Sequence, residues 1–157
     1  MNHKTLAAAL AGALLLGASG AVAETNRTMI VHKDPNCGCC GAWVDHVRAA
    51  GFEVEVRETS LMHEIKAELG VPDDLLSCHS AEVDGYVLEG HVPVSAIEAV
   101  LAQRPDVVGV AVPGMPMGSP GMDAPGMAAE PYEVVLFGEE GVRHPLGTFV
   151  GAERVER

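Results

Sequence analysis

The sequence predicts an α/β fold, and three observations carry that prediction. Short runs with strand patterning alternate along the chain with segments of helical spacing. The pair Asp84-Gly85 separates two strand-like arms, which is a strong two-residue hairpin signal. A cysteine-bearing turn, Cys37-Gly38-Cys39-Cys40, falls between the first strand and the first helix.

Each element has its own reason. Thr28 to His32 reads as a short buried strand with Met-Ile-Val at its centre. Lys33-Asp34-Pro35-Asn36 is turn chemistry. From about Cys40 to Ala50 the apolar residues Trp43, Val44, Val47 and Ala50 recur at helical spacing, and Gly51 ends that helix. Phe52 to Arg57 alternates apolar with charged, a half-buried strand. Leu61 to Leu69 predicts a second helix, closed by Gly70 and Pro72. The hairpin arms are Ser80 to Val83 and Tyr86 to Glu89.

Ser95 and Glu98 have capping-box spacing, which predicts a third helix over Ala96 to Gln103. Val107 to Val112 reads as a further strand or extended segment. Pro113 to Pro131 is a loop rich in Gly, Pro and Met, with Gly and Pro holding it open. Tyr132 to Phe137 is a strand, Gly138 to Gly141 a turn, and one more short strand follows Val142. The order strand, helix, strand, helix, hairpin, helix is that of a thioredoxin-like layer, in which reactive cysteines sit at the start of the first helix.

The first residues read as an address. Lys4 gives a positive start, Leu6 to Leu16 is apolar, and Ala21-Val22-Ala23 is a cleavage-type triplet, the order of a secretory signal peptide. The apolar run is shorter than the roughly 20 residues a membrane span needs. Without a twin Arg, the general secretory route is expected, and without a Cys near the triplet, no lipid anchor. Residues 1–23 are therefore expected to be removed on export to the bacterial periplasm. Residues 24–157 are expected to form a single metal-binding domain with no stable membrane insertion.

The whole chain of 157 residues carries a formal charge of −12, which argues against the phosphate backbone of nucleic acid and is compatible with metal cations. Aromatic residues make up only 4%, too few for platforms that stack bases or sugars.

Four cysteines in an exported chain would ordinarily suggest disulfides. Three of them crowded into one turn resist that reading, because neighbouring cysteines bridge only with strain. A Cys37–Cys40 bridge is possible, but it leaves Cys39 and Cys78 over. At a helix N-terminus, free N–H groups and the positive dipole end favour thiolate. Soft sulfur ligands select Cu(I), Zn(II) or iron–sulfur clusters. In a thioredoxin-like layer, the segment before the hairpin lies beside the first helix's N-terminus, so Cys78 is expected to complete a set of four sulfurs.

His79 and His91 are secondary candidate ligands, with His32 behind them and His46, His63 and His144 further back. Met115 and Met117 are candidate thioether ligands in a loop that holds four of the chain's seven methionines. The bland alternative is that the loop methionines are adaptable packing. Trp43 is expected to pack in the core or to shield the site from water.

Together, Cys37-Gly38-Cys39-Cys40-Gly41-Ala42-Trp43, Gly70-Val71-Pro72, Ser77-Cys78-His79, Val83-Asp84-Gly85-Tyr86, Glu89-Gly90-His91-Val92-Pro93, Ala111-Val112-Pro113-Gly114-Met115-Pro116 and Gly118-Ser119-Pro120-Gly121-Met122 resemble the CopG-type periplasmic copper-resistance proteins, formerly a domain of unknown function. The resemblance spans roughly Met29 to Phe137, with Ser80 where Thr is expected. It implies a thioredoxin-like fold, copper handling in the periplasm, and Cys37, Cys39, Cys40 and Cys78 as ligands. The expected function is to hold one or more Cu(I) ions on clustered thiolates, with possible cycling of the copper redox state and exchange with other periplasmic copper-handling proteins. The competing reading is a thiol–disulfide oxidoreductase using Cys37 and Cys40. A zinc- or disulfide-stapled structural domain ranks last, because the Met loop does nothing for zinc.

Overall fold

The computed structural model describes residues 26–155, so the expected leader Met1–Ala23 lies outside the described residues. The chain runs β1 (Thr28–Lys33), α1 (Gly38–Ala49), β2 (Glu53–Glu58), α2 (Met62–Glu68), β3 (His79–Val83), β4 (Tyr86–Glu89), α3 (Val94–Gln103), β5 (Gly109–Ala111), β6 (Pro131–Phe137), β7 (Arg143–Val150) and β8 (Glu153–Val155). All the strands join one eight-stranded mixed sheet in the order β2-β1-β3-β4-β5-β6-β7-β8. β1 pairs with β2 in parallel and with β3 antiparallel, and β4 pairs with β5 in parallel across α3.

Successive residues of a strand face opposite sides of the sheet, and β4 shows that both sides are covered. Leu88 joins the larger cluster, with Trp43, Val44 and Val47 from α1 and Ile97, Val100 and Leu101 from α3. Its neighbour Val87 joins a second cluster with Val71, Leu75, Ala111 and Phe137. Glu89, two residues on from Val87, faces this second side and is fully buried. Asp84 and Gly85 at the hairpin turn both have positive φ, the type I′ geometry that matches strand twist.

Three expectations need correction. The capping box of Ser95 and Glu98 does not form. α3 begins at Val94 behind Pro93, so Ser95 is already inside the first turn. Its hydroxyl donates to Ala152 O (3.1 Å), and Glu98 pairs with Arg27 (2.8 Å). The single short strand expected after Val142 is a longer strand, β7, followed by a second, β8. Finally, the Met-rich segment is not an open loop throughout: Gly118, Ser119 and Pro120 are buried.

Candidate metal centre

Strand register brings the cysteines together. Lys33, the last residue of β1, pairs with His79, the first of β3. The turn leaving β1 carries Cys37, and the residue entering β3 is Cys78, so the two arrive at the same end of the sheet. Cys37 is the N-cap of α1, and its sulfur accepts from the Cys40 N–H (3.3 Å). Sulfur thus fills the place that Ser or Asp usually takes at a helix start.

The four sulfurs lie within 4.8 Å of one another. Cys37 and Cys40 form a disulfide, with Cys40 fully buried, while Cys39 and Cys78 are free thiols. Cys39 Sγ stands 3.6 Å from Cys37 Sγ and 4.0 Å from Cys78 Sγ, so it is the link between helix and strand. Burial first, and the neighbouring Cys39 second, push the Cys78 thiol up from 9.0 to about 12. The protonated form is favoured there, and binding of a metal cation would release that proton.

A nitrogen side adjoins the sulfur side. Cys78 Sγ is 3.3 Å from His79 Nδ1 and 3.1 Å from His91 Nε2, and these three residues form a second group of converging ligand atoms. His91 Nδ1–H donates to the Pro120 carbonyl (2.7 Å). That bond fixes the tautomer and leaves the Nε2 lone pair facing Cys78, the arrangement common to metal-binding imidazoles. Both histidines are fully buried. Burial, then His91 and Lys66, hold His79 well below its ordinary value of 6.5. Burial also lowers His91, against the opposing effect of its bond to Pro120. His79 Nε2 is buried with no hydrogen-bond partner.

Trp43 packs its ring 4.4 Å from the His79 ring and donates its N–H to Val92 O (2.9 Å). It is a buried wall of the site. The Met-rich loop reaches the centre through its backbone. Pro120 O meets His91, and Gly121 is so close to α1 that a Cβ there would stand 2.7 Å from Trp43 N and 2.8 Å from Cys39 O. The Ser77 hydroxyl bonds the Gly114 carbonyl, tying the loop's start to the residue before Cys78. Met115 is half exposed, and Met117 is partly buried. His32 faces Glu82 instead (3.2 Å).

Sequence reasoning missed two participants. One is the Pro120 carbonyl, which no side-chain motif reveals. The other is Glu89, which accepts from Lys66 Nζ (2.6 Å), the Ser77 N–H (2.6 Å) and the Ser80 hydroxyl (2.5 Å). A signal for Glu89 existed: it shares a strand face with Val87, so alternation points its carboxylate inward.

Comparison with known proteins fits this geometry. Residues 75–122, which hold Cys78, both buried histidines and Pro120, match the family described as "Protein of unknown function, DUF411". Among curated proteins none matches. A solved structure titled "Copper resistance protein copG- Form 2" is 42% identical, with a TM-score of 0.73, covering 78% of this chain and 97% of that one. A second, titled "Copper resistance protein copG- Form 1", is 41% identical with the same TM-score, covering 80% and 98%. Identity at this level over nearly the whole length of those proteins shows that the chain belongs to the CopG-type family of copper-resistance proteins.

Proposed function

We propose that this chain is a periplasmic copper-binding protein that contributes to copper resistance by holding Cu(I) on Cys37, Cys39, Cys40 and Cys78. One observation carries the reading: four sulfurs from two separate segments lie within 4.8 Å of one another. Family membership supports copper as the cargo. Thiolates are soft ligands, and crowded thiolates repel one another until cations bridge them, which suits Cu(I) and allows more than one ion. His79 and His91 are positioned as further nitrogen donors. Met115 and Met117 are the thioether candidates, since zinc seldom uses such ligands. The strand order β2-β1-β3-β4, with cysteines at the start of α1, supports a thioredoxin-like core for this domain. The apolar leader ending at Ala23 supports export. Among the described residues no helix is long and apolar enough to cross a membrane.

The site also has a redox couple of its own. Joining the Cys37 and Cys40 thiols as a disulfide releases two electrons and two protons, which balances reduction of two Cu(II) to two Cu(I). It leaves only Cys39 and Cys78 as thiols, so binding of Cu(I) by all four cysteines requires the reduced pair. The same disulfide at a helix start favours a second reading, a thiol–disulfide oxidoreductase. One experiment separates them: titration of Cu(I) against a competing chelator under reducing conditions, for the wild type and Cys39→Ser. Loss of a direct ligand is expected to cost more than the roughly 10–100-fold that an outer-shell partner costs. Equal affinities, together with disulfide-reductase activity that survives the substitution, would decide for the oxidoreductase.

A further inference from the structure

We propose that Glu89 is the positioning residue of the metal centre, holding Cys78 opposite Cys39 by gripping the chain on both sides of it. The inference rests on the copper-site reading for its purpose, though not for its geometry. Glu89 Oε1 takes the Ser77 N–H at 2.6 Å, and Oε2 takes the Ser80 hydroxyl at 2.5 Å. These two anchors flank Cys78 and His79. Lys66 reaches the same carboxylate at 2.6 Å and Ser80 Oγ at 3.0 Å, which locks the grip from α2. One residue beyond Glu89, the Gly90 N–H bonds the His79 carbonyl (2.9 Å), and His91 then faces Cys78 Sγ at 3.1 Å. A single strand end therefore fixes the sulfur's backbone and supplies its nitrogen neighbour.

Stability alone does not account for this pair. Glu89 is fully buried and Lys66 nearly so, and a buried ion pair often gives no more stability than apolar residues of similar volume. What an apolar pair lacks is an acceptor for the Ser77 N–H. Cys78 needs such an anchor more than the other cysteines do, because it lies between a 3-10 turn ending at Leu75 and β3 and, unlike Cys37, neither caps a helix nor bears a disulfide.

The test measures the Cys39–Cys78 juxtaposition without copper. In metal-free protein carrying the Cys37–Cys40 disulfide, these are the free thiols. Dibromobimane, which fluoresces once both its arms have reacted, reports their proximity. In the double variant Lys66→Met/Glu89→Leu, cross-linking is expected to slow about tenfold or more, since a misplacement of about 1 Å can cost roughly 100-fold in a step that depends on proximity. Its melting temperature is expected to fall, because the Ser77 N–H and the buried Ser80 hydroxyl lose their acceptor, but to stay above the assay temperature, and single-arm alkylation of Cys39 is expected to be unchanged. Glu89→Gln, which keeps a carbonyl acceptor for Ser77, is expected to restore most of the rate at temperatures where it is folded. Ser80→Ala removes one anchor without touching the charges, and is expected to give a partial loss. A folded double variant that cross-links at the wild-type rate overturns the proposal. Should that variant not fold, an unchanged rate in Ser80→Ala does the same. A Glu89→Gln rate as low as the double variant's also overturns it, by making charge and not position the cause. Failure of wild-type protein to bind Cu(I), with the cross-linking pattern intact, would instead reject the copper reading alone.

Discussion

The two sides of the sulfur cluster are held by different physics. Cys37, Cys39 and Cys40 are placed by the local geometry of one helix start, where Cys37 caps α1 and its sulfur accepts from the Cys40 N–H. Cys78 is placed by residues distant in sequence. Glu89 and Lys66 anchor its flanks, His91 faces it, and Pro120 holds His91 in turn. Cys39 and Cys78 are both partly exposed, but the second side alone carries two buried imidazoles and a buried ion pair. The difference teaches where the centre is fragile. A helix start tolerates distant change, whereas a strand entry held by a buried carboxylate does not.

The largest expected effect comes from breaking the buried pair on one side only. Lys66→Met leaves the Glu89 carboxylate desolvated without its cation, and is expected to cost about 3–5 kcal/mol of stability. Urea unfolding checks it. A cost below about 1 kcal/mol, the range of exposed pairs, would mean that the carboxylate finds solvent and that the two sides of the cluster are held alike.

Acid and alkali test the same contrast with no mutation. His79 and His91 are held below 6.5 in the folded protein, so the unfolded chain binds more protons than the folded one as pH falls below 6.5. Stability is therefore fully present above 6.5 and lost below it, by about 1.4 kcal/mol per pH unit for each group while the two states differ. Cys78 works in the opposite sense. Its folded value of about 12 exceeds 9.0, so its contribution is present below 9.0 and lost as pH rises from there toward 12. Metal-free protein is expected to be most stable between these limits, as read from urea midpoints across the range. A midpoint that stays flat from pH 6.5 down to 5 would mean that the histidines are solvated and that the buried side is open.

Much of this was legible in the sequence where the cause is local. The cysteine turn, the hairpin at Asp84-Gly85 and the amphipathic spacing of Trp43, Val44 and Val47 each follow from neighbours along the chain. The proximity of Cys78 was legible through topology, since strand-helix-strand-helix-hairpin order sets β3 against β1. The inward face of Glu89 was legible from strand alternation, but its hold on Ser77 and the Pro120 contact were not, because hydrogen bonds across 12 and 29 positions leave no periodicity behind. Nor did the helix-like text around Ser95 disclose that Pro93 starts α3 early.

That last point supplies the smallest and most discriminating test of what local sequence decides. A working N-cap Ser is worth about 1 kcal/mol, and its loss to Ala shows it. Ser95 lies within the first turn of α3, and no side-chain cap bond is made there. Its hydroxyl instead donates to Ala152 O at 3.1 Å in an exposed position, where water replaces the bond readily. Ala has the higher helix propensity, which offsets part of even that small loss. Ser95→Ala is therefore expected to change stability by no more than about 0.5 kcal/mol, the usual range for surface substitutions. Chemical denaturation of the purified variant resolves such a difference. A loss near 1 kcal/mol or above would mean that α3 begins at Ala96 with Ser95 as its cap. The register of α3 against the sheet would then be set by local capping chemistry, as at Cys37, and not by Pro93 and the packing of Ile97, Val100 and Leu101.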